Sequence, residues 1–236
     1  MTHAEIEVKA RALLRRFWEA KGNPPASEFF PLDTRAFIQE VLGWRCEAKD
    51  MVAVDLIGYC NVLGRCVAAG EGPGLVEVAT MEVSANGAWS NPSVQRWTWA
   101  HEAGHIVLGH VGTGAGQSFE CRRARPGVRI KGLQFRTREE LTADVFARAL
   151  LMPEKAVRQR FKELFGLDRV WAVRSAYSDL LGPSAAATLE EPSDEDLAQR
   201  LVVRCPGASS ASLCDFFGVS RDAAKRRLLE LHLVFA

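Results

Sequence analysis

Five histidines occur in 236 residues, and two of them stand four apart with a glutamate beside the first, in His101-Glu102-Ala103-Gly104-His105. On a helix, positions i and i+4 lie on one face, so both imidazoles can turn a nitrogen toward one ion. Glu102 then lies next to the first ligand, where its carboxylate can face a water held by that ion. This is the H-E-x-x-H arrangement of zinc peptidases, with two histidine ligands and a glutamate general base. Such a site needs a third protein ligand and one position left open for water. The metzincin continuation asks for Gly at 108 and His at 111, where this chain has Leu108 and Val111. His110 misses that register by one and reads as a surface residue or a support for a ligand.

The next carboxylates lie in Glu139-Glu140-Leu141-Thr142-Ala143-Asp144. Glu140 and Asp144 are four apart and share a helix face. One can bind metal while the other accepts a hydrogen bond from a ligand histidine. The same residues also fit a capping box, with Thr137 at the N-cap and Glu140 at N3, so spacing alone leaves ligand and cap open.

The elements that must position these groups follow from periodicity. Ile6, Ala10, Leu13, Leu14 and Phe17 mark an opening helix that Gly22-Asn23-Pro24-Pro25 stops, and a second fits Asp33 to Leu42. From Cys46 to Thr80, valines punctuated by Gly70, Gly72, Pro73 and Gly74 predict two to four strands. Residues 84–95 read as loop. A helix runs from about 94 to His110, an irregular loop from Gly112 to Arg136, and a helix from Arg138 to Met152. Further helices fit 153–165, 168–181, 193–204, 209–217 and 220–231, with 182–192 as the best linker. The fold class is therefore α+β, mostly helical with a small sheet.

Composition narrows the function classes. Lys and Arg total 30 against 29 Asp and Glu, so net charge gives no global argument for nucleic acid. No stretch approaches the length of an apolar membrane span, and the start lacks a basic and apolar leader. A cytoplasmic protein without a membrane partner is expected. Its six cysteines are spread without a dense framework, as in a reducing compartment.

Two separated blocks carry a resemblance. Arg96-Trp97-Thr98-Trp99-Ala100-His101-Glu102-Ala103-Gly104-His105 resembles the RFTLAHELGH signature of the ImmA/IrrE metallopeptidase family. The run from Glu140 to Pro153, ending Phe146-Ala147-Arg148-Ala149-Leu150-Leu151-Met152-Pro153, resembles that family's acidic helix ending FAAELLMP. The resemblance is strong at 96–110 and 140–153 and weaker over the rest of 1–180. It implies a gluzincin-like metallopeptidase domain over 1–185 and one Zn2+ per chain on His101, His105 and Glu140. Glu102 is then the general base and Asp144 the support of a ligand, with Glu139 the fallback ligand. Thr142 stands where the family often has a second Glu. The resemblance further implies an endopeptidase that cleaves a partner helix-turn-helix repressor, releasing stress, mobile-element or phage-defence genes. Two histidines and a carboxylate also accept Mn or Fe.

Three features lie outside that core. Cys121 is the only cysteine between the ligands. Its thiolate could take the fourth, water position and hold the enzyme off. Around it Arg122, Arg123, Arg125, Arg129 and Lys131 form a basic run that fits an acidic substrate segment or single-stranded DNA as activator. Residues 186–236 end in a helix-turn-helix-like pair, with Arg221, Lys225, Arg226 and Arg227 on its second helix. The alternative function is therefore a DNA-binding regulator retaining a peptidase fold, and a third is a zinc-stabilised interaction module. Tyr59, Tyr177 and His110 are the candidates for steadying an oxyanion.

Overall fold

The computed structural model describes residues 1–49, 60–70, 72–80, 82–84, 87–89, 91–112, 116–124, 137–182, 193–205 and 211–235. Contacts divide the chain into two units, Met1–Pro24 with Asp33–Leu150, and Pro25–Leu32 with Leu151–Ala236. The expected 185/186 division lies within 183–192, outside the described residues.

The first unit opens with α1 (His3–Ala20), started by a complete capping box between Thr2 and Glu5. Ile6, Ala10, Leu14 and Phe17 form its buried stripe, the 3.6-residue period read from the sequence. A short helix, α3 (Thr34–Phe37), runs into a π-helical turn, Ile38–Leu42, that Gly43 ends in the left-handed region at φ 71°. Phe37 meets Phe17 edge to face at 5.7 Å.

Among the described residues of this unit, the strands that follow are β1 (Arg45–Lys49), β2 (Cys60–Val67), β3 (Leu75–Ala79), β4 (Glu82–Ser84), β5 (Gly87–Trp89) and β6 (Ser118–Ala124). The main sheet has the order β1-β3-β2-β6, with β1 parallel to β3 and the other pairs antiparallel. β4 and β5 pair as a separate hairpin, and β6 adds an edge strand. Both stretches read as loop from the sequence. Their ladders pair backbone groups, so they need no apolar alternation of their own.

Strand alternation gives the sheet two unlike faces. Gly64, Cys66, Val76 and Val78 are buried and paired in register, Gly64 with Val78 and Cys66 with Val76. Against β2 and β3 packs α4 (Pro92–Leu108), the helix that carries the histidine pair. Between those positions lie Arg65 and Glu77, also directly paired. Both Arg65 and Lys49 bond the Glu77 carboxylate, which is 3% exposed, Lys49 at 2.8 Å.

The unit closes with α5 (Arg138–Leu151), whose last residue falls in the second unit. The second unit holds α2 (Ala26–Phe29), α6 (Glu154–Phe165), β7 (Val170–Trp171), α7 (Arg174–Leu181), α8 (Asp194–Leu201), α9 (Leu213–Phe217), α10 (Arg221–Glu230) and β8 (Val234–Phe235). The expected helix over 168–181 is shorter, because 170–171 pairs in parallel with β8. Phe30 lies against Phe216 and Phe217 at 5.8 and 5.1 Å. On α10, Arg227 is buried and donates to the Met152 carbonyl at 2.9 Å, and Lys225 pairs with Glu195 at 3.6 Å. The exposed side of α10 carries Arg221 and Arg226 but also Asp222 and Glu230. Among the described residues, no helix is long and apolar enough to cross a membrane.

Burial alone would raise the Glu77 carboxyl, but the bonds from Arg65 and Lys49 outweigh it and hold it below the usual carboxylate value. Its stabilising effect is therefore complete above the ordinary carboxylate pKa and is lost as pH falls through the lowered one. Glu77→Gln should cost about 1–3 kcal/mol at neutral pH. Urea unfolding should show that difference shrinking in acid, whereas an equal loss at all pH values would refute an ionic role.

Candidate metal centre

α4 is fixed at both ends by its own sequence. The Asn91 side chain accepts from the backbone N–H groups of Ser93 and Val94 at 3.1 and 3.2 Å, and Pro92 takes the first helical position. Gly109 ends it with φ 74°. Every residue from Thr98 to His105 is buried. His101 is 2% exposed, and Glu102 and His105 are fully enclosed. Thr98 bonds the carbonyl of Val94 at 2.9 Å, and the other three polar side chains of this buried segment must be satisfied by neighbours or by a ligand.

α5 supplies the neighbours. The Thr137 hydroxyl accepts from the Glu140 backbone N–H at 3.3 Å, which is one half of the expected capping box. The Glu140 carboxylate turns to the histidines instead of back to the Thr137 backbone, so the side chain takes the ligand position while Thr137 still caps the helix. Gly104 lets α5 come close. A Cβ there would stand 3.0 Å from Ala143 Cα, 3.1 Å from its carbonyl oxygen and 3.3 Å from its Cβ. Glu140 lies one turn before Ala143 and Asp144 directly after it, so this contact sets the reach of both carboxylates.

Three donor side chains converge as a result. His101 Nε2 lies 2.9 Å from His105 Nε2 and 3.1 Å from Glu140 Oε2, and His105 Nε2 lies 3.5 Å from Glu140 Oε1. Among the described residues these three form the group of side chains able to hold a metal ion.

The outer nitrogens fix which way the inner ones face. His101 Nδ1 lies 3.0 Å from Asp144 Oδ1, a carboxylate oxygen that accepts, so Nδ1 carries the proton. The Thr142 hydroxyl is 3.0 Å from the carbonyl oxygens of both Arg138 and Glu139, to which it donates. Its oxygen then accepts from His110 Nε2 at 3.4 Å. His110 Nδ1 is left to accept from His105 Nδ1 at 2.9 Å. This order of donors places both Nε2 lone pairs inward. Two lone pairs and a carboxylate facing one another in a buried pocket repel unless a cation lies between them. The 2.9 Å between the two nitrogens and the 3.1 and 3.5 Å from them to one or the other Glu140 oxygen are of the size of the ~3.3 Å edge of a tetrahedron with metal–ligand bonds of about 2.0–2.1 Å. The donor set fits a divalent metal.

The electrostatics agree. Burial alone would raise the Glu140 carboxyl; positive charge at its edge, which protonated His101 and His105 or a cation bound in place of those protons would supply, outweighs burial and lowers it to about 2. Burial pushes His105 down to about 4, against the pull of Glu140. At neutral pH one is ionised and the other neutral, the ligating form of each. His110 is lowered as well, mainly by burial, with Glu139 and Glu140 opposing.

The structure thus brings together His101, His105, Glu140 and Asp144, with Glu102 on the same helix. Glu139 is exposed, its carboxyl lowered by its own backbone N–H and the Thr137 hydroxyl. Cys121, Arg122 and Arg123 lie on β6, where Cys121 pairs in register with Gly64; the side chains lie outside the described residues. Arg125, Arg129, Lys131 and Tyr59 lie outside them entirely. Tyr177 belongs to the second unit, fully buried, its hydroxyl donating to the Ser193 carbonyl at 2.6 Å and accepting from the Ser193 N–H.

Sequence reasoning missed Gly64, Cys66 and Phe119. The Phe119 ring lies 4.1 Å from that of His105, and the Cys66 thiol lies 2.9 Å from Glu102 Oε2. A glycine inside a strand run was the one available signal, since it marks close approach of another group.

Residues 87–178 match the Peptidase_M78 family, described as the IrrE N-terminal-like domain. No curated protein matches the chain.

The outward hydrogen bonds predict how metal affinity responds to substitution. Asp144→Asn and His110→Ala should each weaken metal binding about 10- to 100-fold, and Glu140→Ala more than either. Competition with a fluorescent chelator would measure this, and affinity unchanged in all three variants would refute the donor set.

Proposed function

We propose, from the match of residues 87–178 to the IrrE N-terminal-like Peptidase_M78 family, that the chain is a zinc-dependent endopeptidase of the ImmA/IrrE type that cleaves a partner helix-turn-helix repressor. The observation that carries the peptidase reading is the inward-facing set of His101, His105 and Glu140 with Glu102 beside it on α4. A purely structural metal site has no need of Glu102.

When bound, a divalent ion supplies Lewis acidity toward a water and the scissile carbonyl. The chain's own groups do the rest. Glu102 takes the proton of the attacking water on its carboxylate and passes it to the leaving amine. Asp144 and the His110–Thr142 pair hold the two ligand rings in the tautomer that keeps Nε2 unprotonated. The fully buried surroundings of Glu102 and His105 keep bulk water from competing for that proton.

The repressor as substrate rests on the family resemblance. Regulation by single-stranded DNA rests on the basic run from Arg122 to Lys131. Cys121 as an inhibitory fourth ligand finds support in its register opposite Gly64, a residue in contact with the Glu102 neighbourhood. The alternative of a DNA-binding regulator gains nothing from α10, whose exposed side balances two arginines against two acids, whereas phosphate contacts need a positive stripe.

The test is a cleavage assay with the metal-loaded protein and the helix-turn-helix repressor encoded beside it, with and without single-stranded DNA. A single cut is expected, reduced about 10²- to 10⁴-fold in Glu102→Gln with metal content unchanged. Cys121→Ser should raise basal cleavage. A Glu102→Gln variant that cuts at the wild-type rate would overturn the assignment.

A further inference from the structure

Strand β2 passes directly beside Glu102. A Cβ on Gly64 would stand 2.8 Å from Glu102 Oε1 and 2.6 Å from Thr98 Cγ2, so only glycine leaves room for the carboxylate. Two residues on, and therefore on the same face of the strand, the Cys66 thiol donates to Glu102 Oε2 at 2.9 Å. Cys66 is fully buried, and its Sγ lies farther, 3.4 Å, from the Glu102 carbonyl oxygen. Directly opposite Cys66 on β6 is Phe119, whose ring packs on His105. One cross-strand pair thus touches both the glutamate and a histidine of the motif.

We propose that Cys66 is a positioning residue for the general base: its S–H···Oε2 hydrogen bond, beside the space left at Gly64, fixes the rotamer in which Glu102 presents its carboxylate. This rests on the metallopeptidase reading. A glutamate has three rotatable side-chain bonds, and general-base catalysis requires the carboxylate within hydrogen-bond reach of one water. A helix backbone alone leaves those torsions open. A donor on one oxygen and a tight wall beside the other remove the alternatives. A buried cysteine in a strand otherwise acts as a small apolar residue, and here its one polar atom meets the one side chain that must be aimed.

Two measurements on the full-length protein test this. The first is the infrared S–H stretching band, assigned to Cys66 by its loss in Cys66→Ala. In the wild type it should lie at the low frequency of a thiol bonded to a carboxylate, and Glu102→Gln should move it upward. A band indifferent to Glu102→Gln would overturn the contact. The second is steady-state cleavage by the metal-loaded protein. Cys66→Ala should lower kcat about tenfold or more, the scale of one hydrogen bond to a charged group, with KM and metal content near wild type. Cys66→Ser, which restores a donor, should recover most of the loss. A kcat in Cys66→Ala equal to wild type, or a loss that serine does not recover while metal content is kept, would overturn the positioning role. Wild-type protein that cuts nothing while the band still answers to Glu102→Gln would overturn the peptidase reading and the role with it, leaving the contact established.

Discussion

The site depends on how closely two helices approach at Gly104 and Ala143. With no side chain at 104, α5 comes near enough that a Cβ there would sit 3.0 Å from its backbone. The consequence is chemical. A glutamate side chain is short, and Glu140 reaches both Nε2 atoms only because its backbone is held close to α4. Asp144, on the same face, reaches the outer nitrogen of His101 for the same reason. The cap at Thr137 and the glycine stop at 109 fix the register of each helix, so the contact point has a single solution.

A second layer of interactions turns proximity into a donor set. Polar groups enclosed in a helix core are costly unless each finds a partner. Here the partners face outward from the histidines, to Asp144 on one side and through His110 to Thr142 on the other. They leave the inward lone pairs for a cation. The sheet closes the remaining side. Its buried face supplies Gly64 and Cys66 to Glu102 and Phe119 to His105, while its other positions carry the Arg65–Glu77–Lys49 cluster. One alternating strand therefore serves both stability and the site.

Much of this was legible in the sequence, for physical reasons. His101, Glu102 and His105 announce themselves because helix geometry makes their spacing meaningful, and Glu140 and Asp144 because they repeat that spacing on a capped helix. The stripe of α1 was equally plain. The edge strand β6 was not, since backbone pairing with β2 creates it and it has little pattern of its own. The paired strands at 82–84 and 87–89 and the strand at 170–171 were hidden for the same reason. Thr142 looked like a missing carboxylate, yet it ends the chain of hydrogen bonds from His105, a role that only the fold reveals. Arg227 looked like a groove contact and is instead buried on the Met152 carbonyl. Charge counts along a helix do not say which arginines face inward.

The central claim is that His101, His105 and Glu140 hold one divalent ion with a position left open. X-ray absorption at the metal edge of the protein purified with its own metal tests it most directly. The geometry predicts one ion per chain, with scattering from two imidazole rings and a light-atom shell at about 2.0–2.1 Å. A stoichiometric ion whose spectrum lacks imidazole scattering would contradict it.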